Sequence, residues 1–233
     1  MIESFRNQDM NAEHMLAAFM DEYFYSRLVS QDGKPLTFKR MDDKESQLRG
    51  IDVCIETGGR KIFIDEKASL YYSNAMIPTF AFELDSIQKG HDHPIEGWFI
   101  NDDLETEYYM LIWPNVRCTQ ERGQWVRKEI RDIRREDFTI VESMMIKKSD
   151  IRDRLCKQGY DRLHLIEYAK RYRELCEKKT GRQEEDILDG IKIMFSGQLA
   201  ERPINLVIRK ELLIEMAKRV YLISADGFAT IKG

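Results

Sequence analysis

Ile62-Phe63-Ile64-Asp65-Glu66-Lys67-Ala68 is the stretch whose reading decides the fold, because an apolar strand body ends in two acids and a lysine. Gly50-Ile51-Asp52-Val53-Cys54-Ile55 precedes it with the same strand-like character, and Glu56-Thr57-Gly58-Gly59-Arg60-Lys61 between them reads as a hairpin loop. Side chains alternate faces along a strand, so Asp65 and Lys67 point one way and Glu66 the other. Asp52 sits on the partner strand, where it can join Asp65 and Lys67 on one face of one sheet. Two carboxylates and an ammonium so placed suit metal-assisted phosphodiester cleavage. The acids offer hard oxygen ligands, and the lysine a fixed positive charge for phosphoryl oxygens.

Upstream, Met15, Leu16, Phe19, Met20, Tyr23 and Phe24 recur at helical steps, which predicts a helix from about Met10 to Leu28 with Asn11 as its N-cap. Ser30-Gln31-Asp32-Gly33-Lys34-Pro35 breaks it, and Leu36 to Met41 reads as a strand. Downstream, Thr79–Leu84, Gly97–Ile100 and Tyr108–Trp113 read as further strands, with Pro114 closing the last and His91-Asp92-His93-Pro94 a plain polar loop. The second half begins with short apolar runs at Trp125–Ile130 and Phe138–Val141. Helices are expected at Ser149–Lys157, with Ser149 as cap, and at Asp161–Lys178. Strands follow at Ile191–Phe195 and Ile204–Ile208, then a last helix at Glu211–Leu222. The class is α/β (α+β): a mixed central sheet flanked by helices in residues 1–145, with a mixed α/β extension in 146–233 that packs on this core as one domain or forms a second lobe.

Composition sets the limits. A chain of 233 residues supports one large domain or one with a small appendage, and 42 % hydrophobic with 33 % charged residues is ordinary globular usage. No run approaches the ~18 apolar residues of a membrane span, and the polar N-terminus lacks a signal core. Cys54, Cys118, Cys156 and Cys176 are scattered without a C-x-x-C pair, which argues against a zinc knuckle and a disulfide scaffold and for a reducing, cytoplasmic setting. The net charge of -4 conceals an uneven distribution: residues 117–182 hold 19 Lys and Arg against 12 Asp and Glu, the remainder 18 against 29. A basic segment beside an acidic one suits a polyanion held by the first and cations by the second. Solvated helix faces of alternating charge would give the same counts.

Asp52, then Asp65-Glu66-Lys67 one hairpin later, behind an N-terminal helix and the lead-in Gln47-Leu48-Arg49-Gly50-Ile51, resembles the PD-(D/E)XK nuclease superfamily with its restriction-endonuclease-like fold. The likeness spans roughly residues 10 to 115, and Ile51 stands where the family pattern has proline. It implies a Mg²⁺-dependent endonuclease acting on DNA, with Mn²⁺ able to substitute. Asp52, Asp65 and the backbone carbonyl of Glu66 would be the metal ligands. Lys67 would orient water or stabilise the phosphoryl oxygens, with partial burial and the metal lowering its pKa. Duplex DNA and a second copy of the chain are the implied partners.

A helix acid often completes such sites; Glu22 is the first choice, Asp21 the next and Glu13 the third. Glu83 reads as a supporting acid or a strand-end residue, and Gln47 as a residue that orders the approach to Asp52 or contacts nucleic acid. Trp98, Trp113, Tyr108 and Tyr109 read as core before they read as base-stacking groups. The rival readings are a catalytically inactive nucleic-acid-binding protein of this fold, an RNA- or junction-processing nuclease, and an unrelated α/β protein with structural ion pairs.

Overall fold

The computed structural model describes residues 6–30, 32–88 and 90–233, the first five of them as backbone only. Seven strands form the main sheet in the order β1 (Thr37–Arg40), β2 (Val53–Thr57), β3 (Arg60–Ala68), β6 (Tyr108–Val116), β9 (Phe138–Lys147), β13 (Arg219–Ser224) and β14 (Gly227–Lys232). All its pairings are antiparallel except β3 with β6, so the sheet is mixed. A second, antiparallel sheet runs β10 (Arg182–Leu188), β11 (Ile191–Ser196), β12 (Ile204–Arg209), β4 (Thr79–Ser86) and β5 (Ile95–Glu96). The ribbon β7 (Cys118–Glu121) and β8 (Gln124–Arg127) belongs to neither. Its two-residue turn, Arg122-Gly123, has positive φ at both positions (48° and 82°), as a type I′ hairpin requires.

Alternation along β6 separates two cores. Met110 and Ile112 face α1 (Arg6–Tyr23), where they meet Leu16, Phe19 and Met20. Tyr109, Leu111 and Trp113 face the second sheet, where Phe80 packs on Trp113 and Phe82 on Tyr109. The helices α3 (Lys148–Cys156), α4 (Arg162–Cys176) and α5 (Lys210–Met216) join that second core, and α2 (Lys44–Leu48) leads into β2. Asp161 caps α4 by accepting the His164 amide at 3.0 Å. Among the described residues, no helix is long and apolar enough to cross a membrane.

The structure alters several expected elements. Asn11 lies inside α1 rather than capping it. Gly97–Ile100 is a turn, not a strand: Ile100 and Asn101 amides close back on the Gly97 carbonyl at 3.2 and 3.1 Å. Pro114 sits within β6 rather than ending it. Its carbonyl accepts from Asn74 at 3.4 Å on the side β3 has already left, so its missing N–H breaks no ladder bond. Ser149 falls in the first turn of α3, with Lys147 at the cap. The last helix stops at Met216, and Arg219–Ser224 becomes a strand because Val220 packs in one core and Tyr221 and Ile223 in the other. Strands from 1–145 and from 146–233 share both sheets.

Candidate active site

Backbone pairing puts the motif acids together. The β2–β3 ladder pairs Val53 with Ile64, and the Asp52 amide donates to the Ile64 carbonyl at 2.9 Å. This carries the register one residue further and sets Asp52 across from Asp65. The approach is held by α2, where Asp43 accepts the Ser46 amide at 2.9 Å and the Ser46 carbonyl takes the Ile51 amide at 3.0 Å. Gly50 has φ of 69°, and a Cβ there would lie 2.8 Å from Thr106 Oγ1, whose hydroxyl donates to the Gly50 carbonyl at 2.7 Å. Only glycine meets both demands. Gln47 is exposed on α2, and its backbone closes the helix on Asp43 at 3.1 Å.

Asp65 and Lys67 share the face that looks toward the second sheet. Lys67 Nζ lies 2.5 Å from Asp65 Oδ1 and 5.2 Å from the centre of the Trp98 ring. Asp65 is 2 % exposed, and its Oδ2 has no hydrogen-bond partner among the described residues. Burial pushes the Asp65 carboxyl up to about 7; Lys67 opposes the shift and Asp52 adds to it. Burial also works against the Lys67 ammonium, but the Asp65 and Asp52 carboxylates outweigh it and hold its pKa above the ordinary lysine value. Without a bound cation the two carboxylates thus oppose the lowering expected for Lys67 from burial and a neighbouring metal.

Glu66 points to the opposite face and is locked there. Tyr25 Oη donates to its Oε1 at 2.8 Å, and the Arg40 guanidinium donates to Oε2. Arg40 also holds Asp21 through bonds of 2.5 and 3.2 Å. The Glu66 amide donates to Asp52 Oδ2 at 2.7 Å. A residue's N–H and C=O leave a strand on the same side, so the Glu66 carbonyl faces the Asp52 edge as well.

The helix acids separate. Glu22, the first choice, pairs with Arg135 on the surface and does not join the site. Asp21 is engaged by Arg40 behind Glu66. Glu13, one turn and two further from Ala17 and Asp21 along the same stripe, is the α1 acid whose charge reaches Lys67. Glu83 on β4 accepts from Ser86 Oγ at 3.2 Å; burial raises its pKa while Lys67 lowers it, so it lies within electrostatic range of the site. Trp113 and Tyr109 are buried core, and Trp98 packs on Phe82 and Tyr109 while covering Lys67. His91 and His93 lie in a loop with their rings 5.9 Å apart.

Lys148, Arg152 and Arg162 were not singled out from sequence. Lys148 Nζ donates to the Asn101 carbonyl at 3.0 Å, Arg152 to Phe99 at 2.7 Å, and Arg162 to Ile100 at 2.7 Å. Three cations from α3 and α4 thus grip consecutive carbonyls of the turn that carries Trp98. Burial and the neighbouring Arg152 push the Lys148 pKa down to about 8, against the pull of Asp102 and Asp65. The only hint in the sequence is the Lys147-Lys148 pair where β9 runs into α3.

No group of three His, Cys, Asp or Glu side chains among the described residues is close enough to hold a metal alone. The donor set nonetheless fits a hard cation. It comprises the Asp52 carboxylate, the Asp65 carboxylate with one buried oxygen unpartnered, and the Glu66 carbonyl on the same edge. Mg²⁺ takes few protein oxygens and keeps several waters, so such a partial set is its usual kind. Comparison of the chain with family models, with curated proteins and with solved structures gives no match.

Proposed function

We propose that this protein is a metal-dependent nuclease of the restriction-endonuclease-like type, hydrolysing phosphodiester bonds in DNA. The observation that carries this reading is the meeting of Asp52, Asp65 and Lys67 at one strand end, with a buried Asp65 oxygen left without a partner. Asp52, Asp65 and the Glu66 carbonyl would hold Mg²⁺, with Mn²⁺ as a substitute. The bound ion would supply charge neutralisation at the phosphate and a lowered pKa for water.

The chain's own groups account for the rest. Lys67 is charged and 26 % exposed at its side chain, so it can meet a phosphoryl oxygen as negative charge builds there. Trp98 screens one side of the ammonium and leaves the other to the substrate. Burial raises the Asp65 carboxyl toward neutral pH, and a bound cation would favour its ionised form. The resemblance to the nuclease superfamily adds duplex DNA and a homodimer to this reading.

Nicking of supercoiled plasmid with and without Mg²⁺ tests it, using wild type and Asp65→Asn. Cleavage that needs Mg²⁺ and falls at least ~10²-fold in the variant is expected from losing an electrostatic group. Equal cleavage by both proteins would refute the site. Absent cleavage with firm DNA binding would favour the inactive binding protein, for which the close Asp65–Lys67 ion pair is the supporting observation.

A further inference from the structure

Three exposed aromatic side chains lie on two joined segments, one that follows the strand of Lys67 and one on the ribbon hydrogen-bonded to it. Tyr71 and Tyr72 follow β3 directly and are 52 % and 53 % exposed, and Trp125 on the ribbon is 73 % exposed. Arg127 is two residues beyond Trp125 on β8, so the two share a face. Its Nη1 donates to the Tyr71 carbonyl at 2.5 Å and to the Ser73 carbonyl at 3.4 Å. Cys118, paired with Arg127 across the ribbon, lies 3.5 Å from Asn74 Nδ2. The ribbon face that bears Trp125 is therefore turned toward the segment bearing the two tyrosines.

The surroundings carry a modest excess of positive charge. Residues 117–135 hold seven Lys and Arg against three Asp and Glu. Between the ribbon and α1 runs a cleft lined by Asn11 and Met15 of α1 and by Arg127, Lys128, Arg131 and Arg134, with the acids Glu121, Glu129 and Asp132 interspersed. Exposed planar rings beside arginines match the chemistry of unpaired bases on a phosphate backbone, since stacking needs open base faces that a duplex keeps covered. We infer that Tyr71, Tyr72 and Trp125 form a stacking track for single-stranded DNA leading to Asp65 and Lys67; this deepens the nuclease reading and rests on it for the choice of DNA. The preferred substrate is then a duplex with an unpaired tail or gap, cut faster than the uninterrupted duplex that the family resemblance implies.

The test is fluorescence anisotropy of the full chain in EDTA, with labelled single-stranded DNA, the duplex and the RNA of the same sequence. Single-stranded DNA should bind more tightly than either. Trp125→Ala should weaken it by about 5- to 150-fold, the weight of one stacked base, while Trp125→Phe keeps most of the affinity. Tyr72→Ala should act like Trp125→Ala and leave duplex binding unchanged. Equal or tighter duplex binding, tighter RNA binding, or an unaltered affinity in Trp125→Ala each overturns the track. Tight single-strand binding without Mg²⁺-dependent cleavage would sink the nuclease reading alone, and cleavage with unaltered Trp125→Ala binding would sink the track alone.

Discussion

Asp21 on α1 and Glu66 on β3 are joined through one guanidinium, that of Arg40, which sits between them with the Tyr25 hydroxyl on the far side of Glu66. The arrangement fixes the backbone of β3 next to Asp65 without entering the site itself. Arg40→Ala leaves Glu66, 11 % exposed, without a counter-charge, and removing one partner of a buried pair costs about 3–5 kcal/mol. Urea unfolding at neutral pH measures this. A loss below about 1 kcal/mol would mean that the network does not support β3.

Asp65 makes cation binding depend on pH. Its folded pKa of about 7 lies above the ordinary carboxylate value, so the folded protein keeps a proton that the unfolded chain has released. Stability from this group is greatest at low pH and declines as pH rises toward 7. A cation must displace the same proton, so its affinity should fall about tenfold per pH unit below 7. Mg²⁺ should therefore raise the melting temperature more at pH 8 than at pH 6, and Asp65→Asn should remove the difference. An equal shift at both pH values would contradict the assignment.

The two helix acids give opposite expectations. Glu22→Gln breaks a surface pair with Arg135 and should leave cleavage unaltered and stability within about 1 kcal/mol. Glu13→Gln removes a charge that reaches Lys67 and should reduce cleavage at fixed Mg²⁺, with the loss partly recovered at higher Mg²⁺. Initial rates over a Mg²⁺ titration separate the two. A large effect from Glu22→Gln would restore it to the site.

Gly97 sets how closely the Trp98 turn approaches β4. A Cβ at this position would collide with the Glu83 backbone and lie 2.7 Å from Glu83 Cγ. Gly97→Ala should cost on the order of 1–3 kcal/mol and displace Trp98 from Lys67. Thermal unfolding and cleavage rates should fall together, whereas Trp98→Phe should preserve more activity than Trp98→Ala because it retains an aromatic face. A fully stable, fully active Gly97→Ala would show that the turn can shift freely.

Local periodicity made much of the site region legible. Period-two alternation in Ile62–Ala68 is enough to put Asp65 and Lys67 on one face and Glu66 on the other, and a short Gly-Gly hairpin is enough to bring Asp52 opposite Asp65. The apolar steps of α1 and α4 were readable for the same reason. What only the tertiary structure decided rests on contacts between distant segments. Which α1 acid comes within electrostatic reach of Lys67 depends on the rotation of a helix whose stripe is set by the sheet beneath it, and that rotation gives Glu22 to Arg135. Arg219–Ser224 is a strand because β9 offers it an edge, although its residues continue a helical pattern. The grip of Lys148, Arg152 and Arg162 on the Trp98 turn joins the second half of the chain to the first. A sequence records the preferences of neighbours along the chain, whereas burial, register against remote strands and the pairing of charges exist only once the sheets have closed.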